Sequence, residues 1–86
     1  MKSHKVLDQS YYQSMELCGI TGINPTITNN IKKKLKIKNY TFEREGVKRQ
    51  GVSKDDVIKI MLEKGYTRIT TKDGRDLLVR KVVEIK

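Results

Sequence analysis

The chain has 86 residues, which is enough for one domain and too few for two. Its 19 Lys and Arg residues against 10 Asp and Glu residues give a formal charge of +9, which favours an anionic partner. Cys18 is the only cysteine, so an internal disulfide and a cysteine zinc site are excluded, and we expect a buried structural thiol in a cytoplasmic protein. No apolar stretch has the length of a membrane span or a signal-peptide core.

The first third of the chain predicts two helices. Residues 1–7 are expected to be flexible, although Val6 and Leu7 have the character to dock on a core. A first helix is predicted from Asp8 or Ser10 to Gly19, with Ser10 as its N-cap. Its predicted inward stripe is Tyr11, Met15 and Cys18, widened by Leu17.

The second helix has a clear start. Asn24-Pro25 is typical of an N-cap followed by proline at the first helical position. Ile27, Ile31 and Leu35 recur at the spacing of one helical face, which predicts that this face packs inward. The remaining faces are rich in Thr, Asn and Lys.

The pattern then changes to strands. Tyr40 and Phe42 alternate with polar residues, Glu45-Gly46 predicts a turn, and residues 47–52 predict the return strand. Tyr40 is expected to be in the core.

A third helix and a second hairpin complete the predicted order. Residues 53–56 resemble a capping box with Ser53 at the N-cap and Asp in place of Glu at the third helical position. The acidic Asp55 and Asp56 complement the helix dipole, and Gly65 is a suitable C-terminal stop. Residues 67–71 predict a strand, Asp73-Gly74 a two-residue turn, and residues 77–85 the return strand. The predicted order is helix, helix, hairpin, helix, hairpin.

The positive charge is concentrated in one region of this order. Residues 31–49 carry eight basic side chains against Glu43 and Glu45, whereas residues 1–30 and 53–65 are neutral in sum. Lys, Arg, Thr and Asn are the side chains that contact phosphates and base edges. A run such as Lys32 to Lys34 taken alone is also consistent with a solvated helix face. The candidate DNA-binding residues are Thr26, Thr28, Asn29, Asn30, Lys32, Lys33, Lys36, Lys38, Arg44, Lys48 and Arg49.

Part of the sequence resembles a known family. The segment from Ser14 to Leu35, with Gly22-Ile23-Asn24 before Thr26-Ile27, is similar to the helix-turn-helix of the MerR and excisionase-like winged-helix group. Residues 47–57 resemble that group's wing strand running into its next helix, although Gln50-Gly51 stands where an aromatic is expected. The resemblance covers about residues 14–60 and implies a helix in the major groove and a wing at the DNA backbone.

The prediction is therefore a single α+β domain over residues 1–86, a small winged helix-turn-helix with a C-terminal β-hairpin. The expected function is sequence-preferring binding of double-stranded DNA by a phage or mobile-element regulator or an excisionase-like architectural factor. A homodimer or cooperative assembly on DNA stays open. We expect no enzymatic activity and no cofactor, because the sequence has no nucleophile–base pair and no phosphate loop. We expect no metal, because no group of metal-ligating residues is present, and no membrane partner, because the basic helix lacks bulky aromatic side chains on its apolar face.

Two other functions remain open. One is a protein-binding module of the inhibitor or adaptor type that docks on an acidic host protein through a Lys-rich face, an exposed edge strand at residues 77–85 and tyrosine anchors. The other is RNA binding, which would use Tyr40 and Phe42 for base stacking.

Overall fold

The computed structural model describes residues 4–80. This part of the chain forms three helices and two three-stranded antiparallel sheets, so the α+β prediction is confirmed. In chain order the elements are β1 (His4–Leu7), β2 (Tyr11–Gln13), α1 (Ser14–Thr21), α2 (Pro25–Leu35), β3 (Tyr40–Arg44), β4 (Val47–Ser53), α3 (Lys54–Glu63), β5 (Tyr66–Thr70) and β6 (Asp76–Arg80). Sheet A has the order β1–β6–β5, and sheet B has the order β2–β4–β3.

The N-terminal segment differs from its prediction. Residues 4–7 are not a flexible lead but form strand β1, which pairs antiparallel with β6. Leu7 is buried, as its apolar character suggested, whereas Val6 is 48% exposed on the other face of the strand. The backbone hydrogen bonds of β1 are made with β6, near the other end of the chain, so no local sequence pattern indicates that residues 4–7 form a strand.

The first helix begins later than predicted. Residues 11–13 form β2, and α1 starts at Ser14 with Gln13, not Ser10, at the N-cap. The Gln13 N–H donates to the Glu16 carboxylate at 3.3 Å, which satisfies one open amide of the helix start. The predicted inward stripe is therefore confirmed only at Leu17, which is buried together with Thr21. Met15 is 88% exposed, Tyr11 is 37% exposed and Cys18 is only half-buried.

A tight turn joins the two N-terminal helices. Gly22, and not Gly19, ends α1 in the left-handed conformation (φ 68°), and its N–H donates to the Cys18 carbonyl at 3.0 Å. Residues 22–24 form the turn, and the side chain of Asn24, its last residue, caps α2 as predicted. The turn is held by the Thr21 hydroxyl, which accepts the Ile23 N–H at 3.0 Å and donates to the Leu17 carbonyl at 2.6 Å.

Sheet B joins a hairpin to the helix pair. Glu45 and Gly46 both have positive φ, at 54° and 76°, and form the predicted turn between β3 and β4. Strand β4 also pairs with β2, with Tyr12 opposite Val52 and Gln13 opposite Gly51. Because β2 continues directly into α1, the hairpin is fixed relative to the helix pair.

Helix α3 lies at the centre of the core. The Ser53 hydroxyl accepts the Asp56 N–H at 3.2 Å, which confirms the predicted cap. One buried cluster contains Val57, Ile58 and Met61 of this helix. Its other members come from α1 and from both sheets: Leu7, Tyr12, Leu17, Val52 and Leu78. A second cluster seats α2 on α3 through Ile23, Ile31 and Ile60. Within residues 4–80, no helix is both long and apolar enough to cross a membrane.

The C-terminal hairpin has its strands where the sequence predicts them, but β6 is the central strand of sheet A, not an exposed edge. The turn spans residues 71–75 with Gly74 at φ 79°, so it is longer than two residues. The predicted continuation to residue 85 lies outside the described residues.

A buried carboxylate ties this hairpin to α3. Asp76 is buried and accepts from the Lys54 ammonium at 3.0 Å and from the Arg68 guanidinium at 3.2 Å. The hydrogen bond from Lys54, followed by the charge of Arg68, holds the pKa of Asp76 below its ordinary value, against the opposing effect of burial.

Candidate nucleic-acid interface

Helix α2 exposes its first turn and one polar face. The Asn24 side chain accepts the Thr26 N–H at 2.7 Å, so the helix start is ordered by its own cap. Ile31 is buried against α3, which directs the opposite side of the helix outward. Thr26, Asn29 and Lys33 lie on that outward side and are exposed.

One predicted contact residue does not reach the surface. Thr28 is only 4% exposed, and its hydroxyl donates to the Asn24 carbonyl at 3.1 Å. The spacing of the apolar residues predicts Ile27 on the inner face of α2 and Thr28 on an outer one. In the structure Ile27 is 40% exposed, so the packed face is rotated toward Thr28. Thr28 therefore belongs to the packing of α2 and not to a DNA-contacting surface.

The two asparagines of α2 lie on different sides of the helix. Asn29 borders an open concavity together with Lys32, Lys33, Lys36 and Ile37. Asn30 faces α3 instead, beside Lys34, whose ammonium forms an ion pair with Glu63. Of the two amides, Asn29 is therefore the one surrounded by uncompensated positive charge.

The end of α2 is tied to the hairpin that follows. The Lys32 ammonium donates to the Asn39 side chain at 2.9 Å, just before β3 begins. Lys36 ends the helix in the left-handed conformation (φ 55°), with its N–H directed to the Lys32 and Lys33 carbonyls. Lys36 and Lys38 are both exposed, so the positive surface continues from α2 toward the hairpin.

The two predicted arginines are partly committed inside the domain. The Arg44 guanidinium pairs with Glu16 and donates to the Tyr11 carbonyl, while it lies 5.2 Å from the centre of the Phe42 ring. Its charge is compensated within the protein, so it is a weaker candidate for phosphate contact than the sequence suggested. Its structural role is to hold the hairpin against the start of α1.

The guanidinium of Arg49 has hydrogen-bond partners for only some of its donors. One terminal nitrogen donates to the Gln13 side chain at 3.3 Å, and the buried Nε has no hydrogen-bond partner among the described residues. The neighbouring Lys48 is exposed on β4 and lies opposite Glu43 across the hairpin. Lys48 therefore keeps a solvated charge, although an acidic neighbour offsets part of it.

An aromatic cluster on sheet B was not anticipated. The Tyr11 ring stacks on Phe42 with 5.3 Å between ring centres, and it contacts Tyr40 at 6.0 Å in a tilted arrangement. Tyr40 is 45% exposed, so the prediction that it is a core residue is wrong. The alternation of Tyr40 and Phe42 marked their common face, but only the pairing of β2 into the sheet brings Tyr11 to it.

The set of candidate contact residues is therefore smaller in the structure than in the sequence. The predicted contact residues that are exposed in the structure are Thr26, Asn29, Asn30, Lys33, Lys36, Lys38 and Lys48. No protein-family model, curated protein or solved structure matches the chain.

Proposed function

We propose that this protein binds double-stranded DNA as a small winged helix-turn-helix, with α2 in the major groove and the β3–β4 hairpin beside the backbone. The observation that carries the proposal is the pair α1 and α2 joined by the three-residue turn 22–24, with α2 exposed along a Thr-, Asn- and Lys-rich side. Two helices joined by a short, glycine-containing turn are the arrangement that presents a second helix to a DNA groove.

The outward side of α2 has the chemistry for both kinds of DNA contact. The major groove admits an α-helix, and residues near the helix N-terminus come nearest to the base edges. Thr26 and Asn29 occupy that part of α2, and an Asn amide pairs in two hydrogen bonds with adenine. Lys33 lies one to two turns further along, where a cation meets phosphate oxygens.

The hairpin supports the same orientation. Residues 31–49 hold a net charge of +6, and the exposed Lys36, Lys38 and Lys48 extend the positive surface beyond α2. Pairing of β2 with β4 fixes the hairpin to the helix pair, so the two parts would approach one duplex together. The proposed biological role, by analogy with the MerR and excisionase-like group, is regulation or architectural bending of DNA in a phage or mobile element.

The direct test is a salt series of duplex binding. Fluorescence anisotropy with a labelled random-sequence duplex should give an affinity that falls steeply with salt, with a slope of about −0.9 per phosphate contact. Lys33→Ala should weaken binding and reduce the magnitude of that slope by about one. Lys59→Ala is the matched control, because Lys59 is exposed on α3 and its substitution removes the same charge away from α2. Equal losses in the two variants, or no duplex binding at low salt, would refute the proposal.

A second measurement separates base reading from backbone binding. A preferred site is first selected from a random duplex library with the wild-type protein. Asn29→Ala should then lower affinity for that site by roughly tenfold, since a lost bidentate base contact costs about 1–3 kcal/mol, while affinity for random duplex stays within twofold. The same substitution at Asn30 should have a smaller effect, because Asn30 faces α3. A uniform loss on both duplexes would contradict the assignment of Asn29.

One observation favours a different function. The exposed aromatic cluster of Tyr11, Tyr40 and Phe42 is a surface suited to anchoring a protein partner, as in the inhibitor or adaptor alternative. Tyr40→Ser distinguishes the two functions. The DNA proposal expects duplex affinity to stay within about twofold, whereas a docking module would lose a specific, nuclease-resistant protein partner in a pull-down identified by mass spectrometry.

A further inference from the structure

The inner face of sheet A carries two cations where the strand pattern calls for apolar residues. On β1, Lys5 shares a face with the buried Leu7, while the apolar Val6 points outward and is 48% exposed. On β6, Arg80 shares a face with the fully buried Leu78 in the same way. Lys5 and Arg80 are thus on the face of sheet A that packs on the helices, at the margin of the buried core.

These two side chains line an open cavity with a third cation. The cavity measures about 580 Å³ and lies between sheet A, the 22–24 turn and the C-terminal end of α3. Lys64, which follows the last turn of α3, completes the set. The cavity is therefore lined by three positively charged side chains that are far apart in the sequence, at positions 5, 64 and 80. None of the described residues that line it is acidic.

Three of the other residues that line the cavity are hydrogen-bonded to one another within the domain. Tyr66 donates from its hydroxyl to the Thr21 carbonyl at 3.4 Å, and the Ile23 N–H donates to the Thr21 hydroxyl. The described residues supply no ion-pair partner to Lys5, Lys64 or Arg80. The charged groups that the described lining residues offer to a ligand are therefore all cationic.

We propose that this cavity binds a phosphate or pyrophosphate group, with Lys5, Lys64 and Arg80 as its ligand-binding residues. Three converging charges match an anion that carries about two negative charges, and a guanidinium pairs with phosphate oxygens in a fixed fork. The cavity volume is in the range of small-molecule sites. Two sources share this chemistry: a free phosphorylated small molecule, and a DNA phosphate next to the start of α2. The site itself does not depend on the proposed DNA binding.

Pyrophosphate is the probe that tests the site. It is titrated into the ¹⁵N-labelled full chain at constant ionic strength, with sodium chloride as the compensating salt. The largest amide shifts should fall at residues 22–24 and 64–66. Shifts confined to residues 32–38, or the absence of saturable shifts, would overturn the proposal. This measurement uses the wild-type protein, so it tests the site even if a variant fails to fold.

Paired variants test the assigned cations. The double variant Lys5→Gln with Arg80→Gln should weaken pyrophosphate binding by at least about tenfold, because two charge-assisted contacts are lost. The control, Lys59→Gln with Lys72→Gln, removes the same charge from exposed positions outside the cavity and should stay within about twofold. Comparable losses of pyrophosphate affinity in both double variants would mean that only net charge matters, and would refute the proposed site.

The same variants identify the source of the phosphate. If the ligand is a DNA phosphate, the cavity variant also loses duplex affinity and its salt slope falls by one to two relative to the control. If the ligand is a free phosphorylated molecule, duplex affinity falls no more than in the control while pyrophosphate binding is lost. If Lys33→Ala does not affect duplex binding, the proposal that α2 contacts DNA is refuted, whereas the test of the cavity by pyrophosphate binding is unaffected.

Discussion

Gly51 should tolerate no side chain at all. It lies in β4, the central strand of sheet B, opposite Gln13 and Tyr40. A Cβ atom built there would stand 1.9 Å from the Tyr12 carbonyl oxygen and 2.8 Å from the Gln13 Cα. Real Cβ contacts are essentially never shorter than 3.0 Å, so β2 would have to retreat by about 1 Å or more. These are backbone atoms, which cannot rotate away as a side-chain tip would.

The cost of Gly51→Ala follows from that geometry. Overpacking in a well-packed interior costs typically 1–3 kcal/mol, and a forced separation of paired strands belongs at the upper end, about 3 kcal/mol. For a domain of this size, 1 kcal/mol shifts the melting temperature by roughly 4–8 °C, so the variant should melt at least about 12 °C lower. Since β2 runs into α1, duplex affinity should fall as well.

Gly19→Ala is the matched control. Gly19 is an exposed residue of α1 with no atom within 4 Å of its Cβ position, and its φ is not positive. Alanine there should stabilise the protein by about 0.5–1 kcal/mol, because glycine is a poor helix former. Thermal melts followed by circular dichroism compare the two. A Gly51→Ala protein that melts at or above the wild-type temperature would refute the close strand approach on which the hairpin's orientation depends.

Three further predictions concern buried and paired polar groups. Asp76→Asn should lower the free energy of unfolding by about 2 kcal/mol at pH 7, since it removes a buried charge partner. Because the folded pKa of Asp76 lies below its unfolded value near 3.8, this stabilisation is present above that pH and is lost as the pH falls through the lowered folded pKa, so the unfolding curves of variant and wild type should draw together in acid; a gap that does not narrow as the pH is lowered from 7 would contradict the assignment. Thr28→Val should leave duplex affinity unchanged while Thr26→Val lowers it, as measured by anisotropy, and a larger loss from Thr28→Val would restore Thr28 to the interface. Glu16→Gln should release Arg44 and steepen the salt dependence of duplex binding, and an unchanged slope would mean that Arg44 never reaches the DNA.

Local chemistry determined several elements from the sequence alone. Asn24-Pro25 set the start of α2, Ser53 the start of α3, and Glu45-Gly46 the turn of the basic hairpin. Each of these signals acts within about four residues of itself, through a cap, a fixed φ or a left-handed turn. The +9 charge and its concentration in residues 31–49 are also properties of the sequence.

The tertiary structure decided what depends on distant partners. Strands β1 and β2 exist because β6 and β4 pair with them, and that pairing moved the start of α1 to Ser14. Packing of α2 beside α1 buried Thr28. The fold also brought Glu16 to Arg44. The cavity lined by residues 5, 64 and 80 is invisible along the chain, because hydrophobic patterning reports which residues avoid water but not which distant residues will meet.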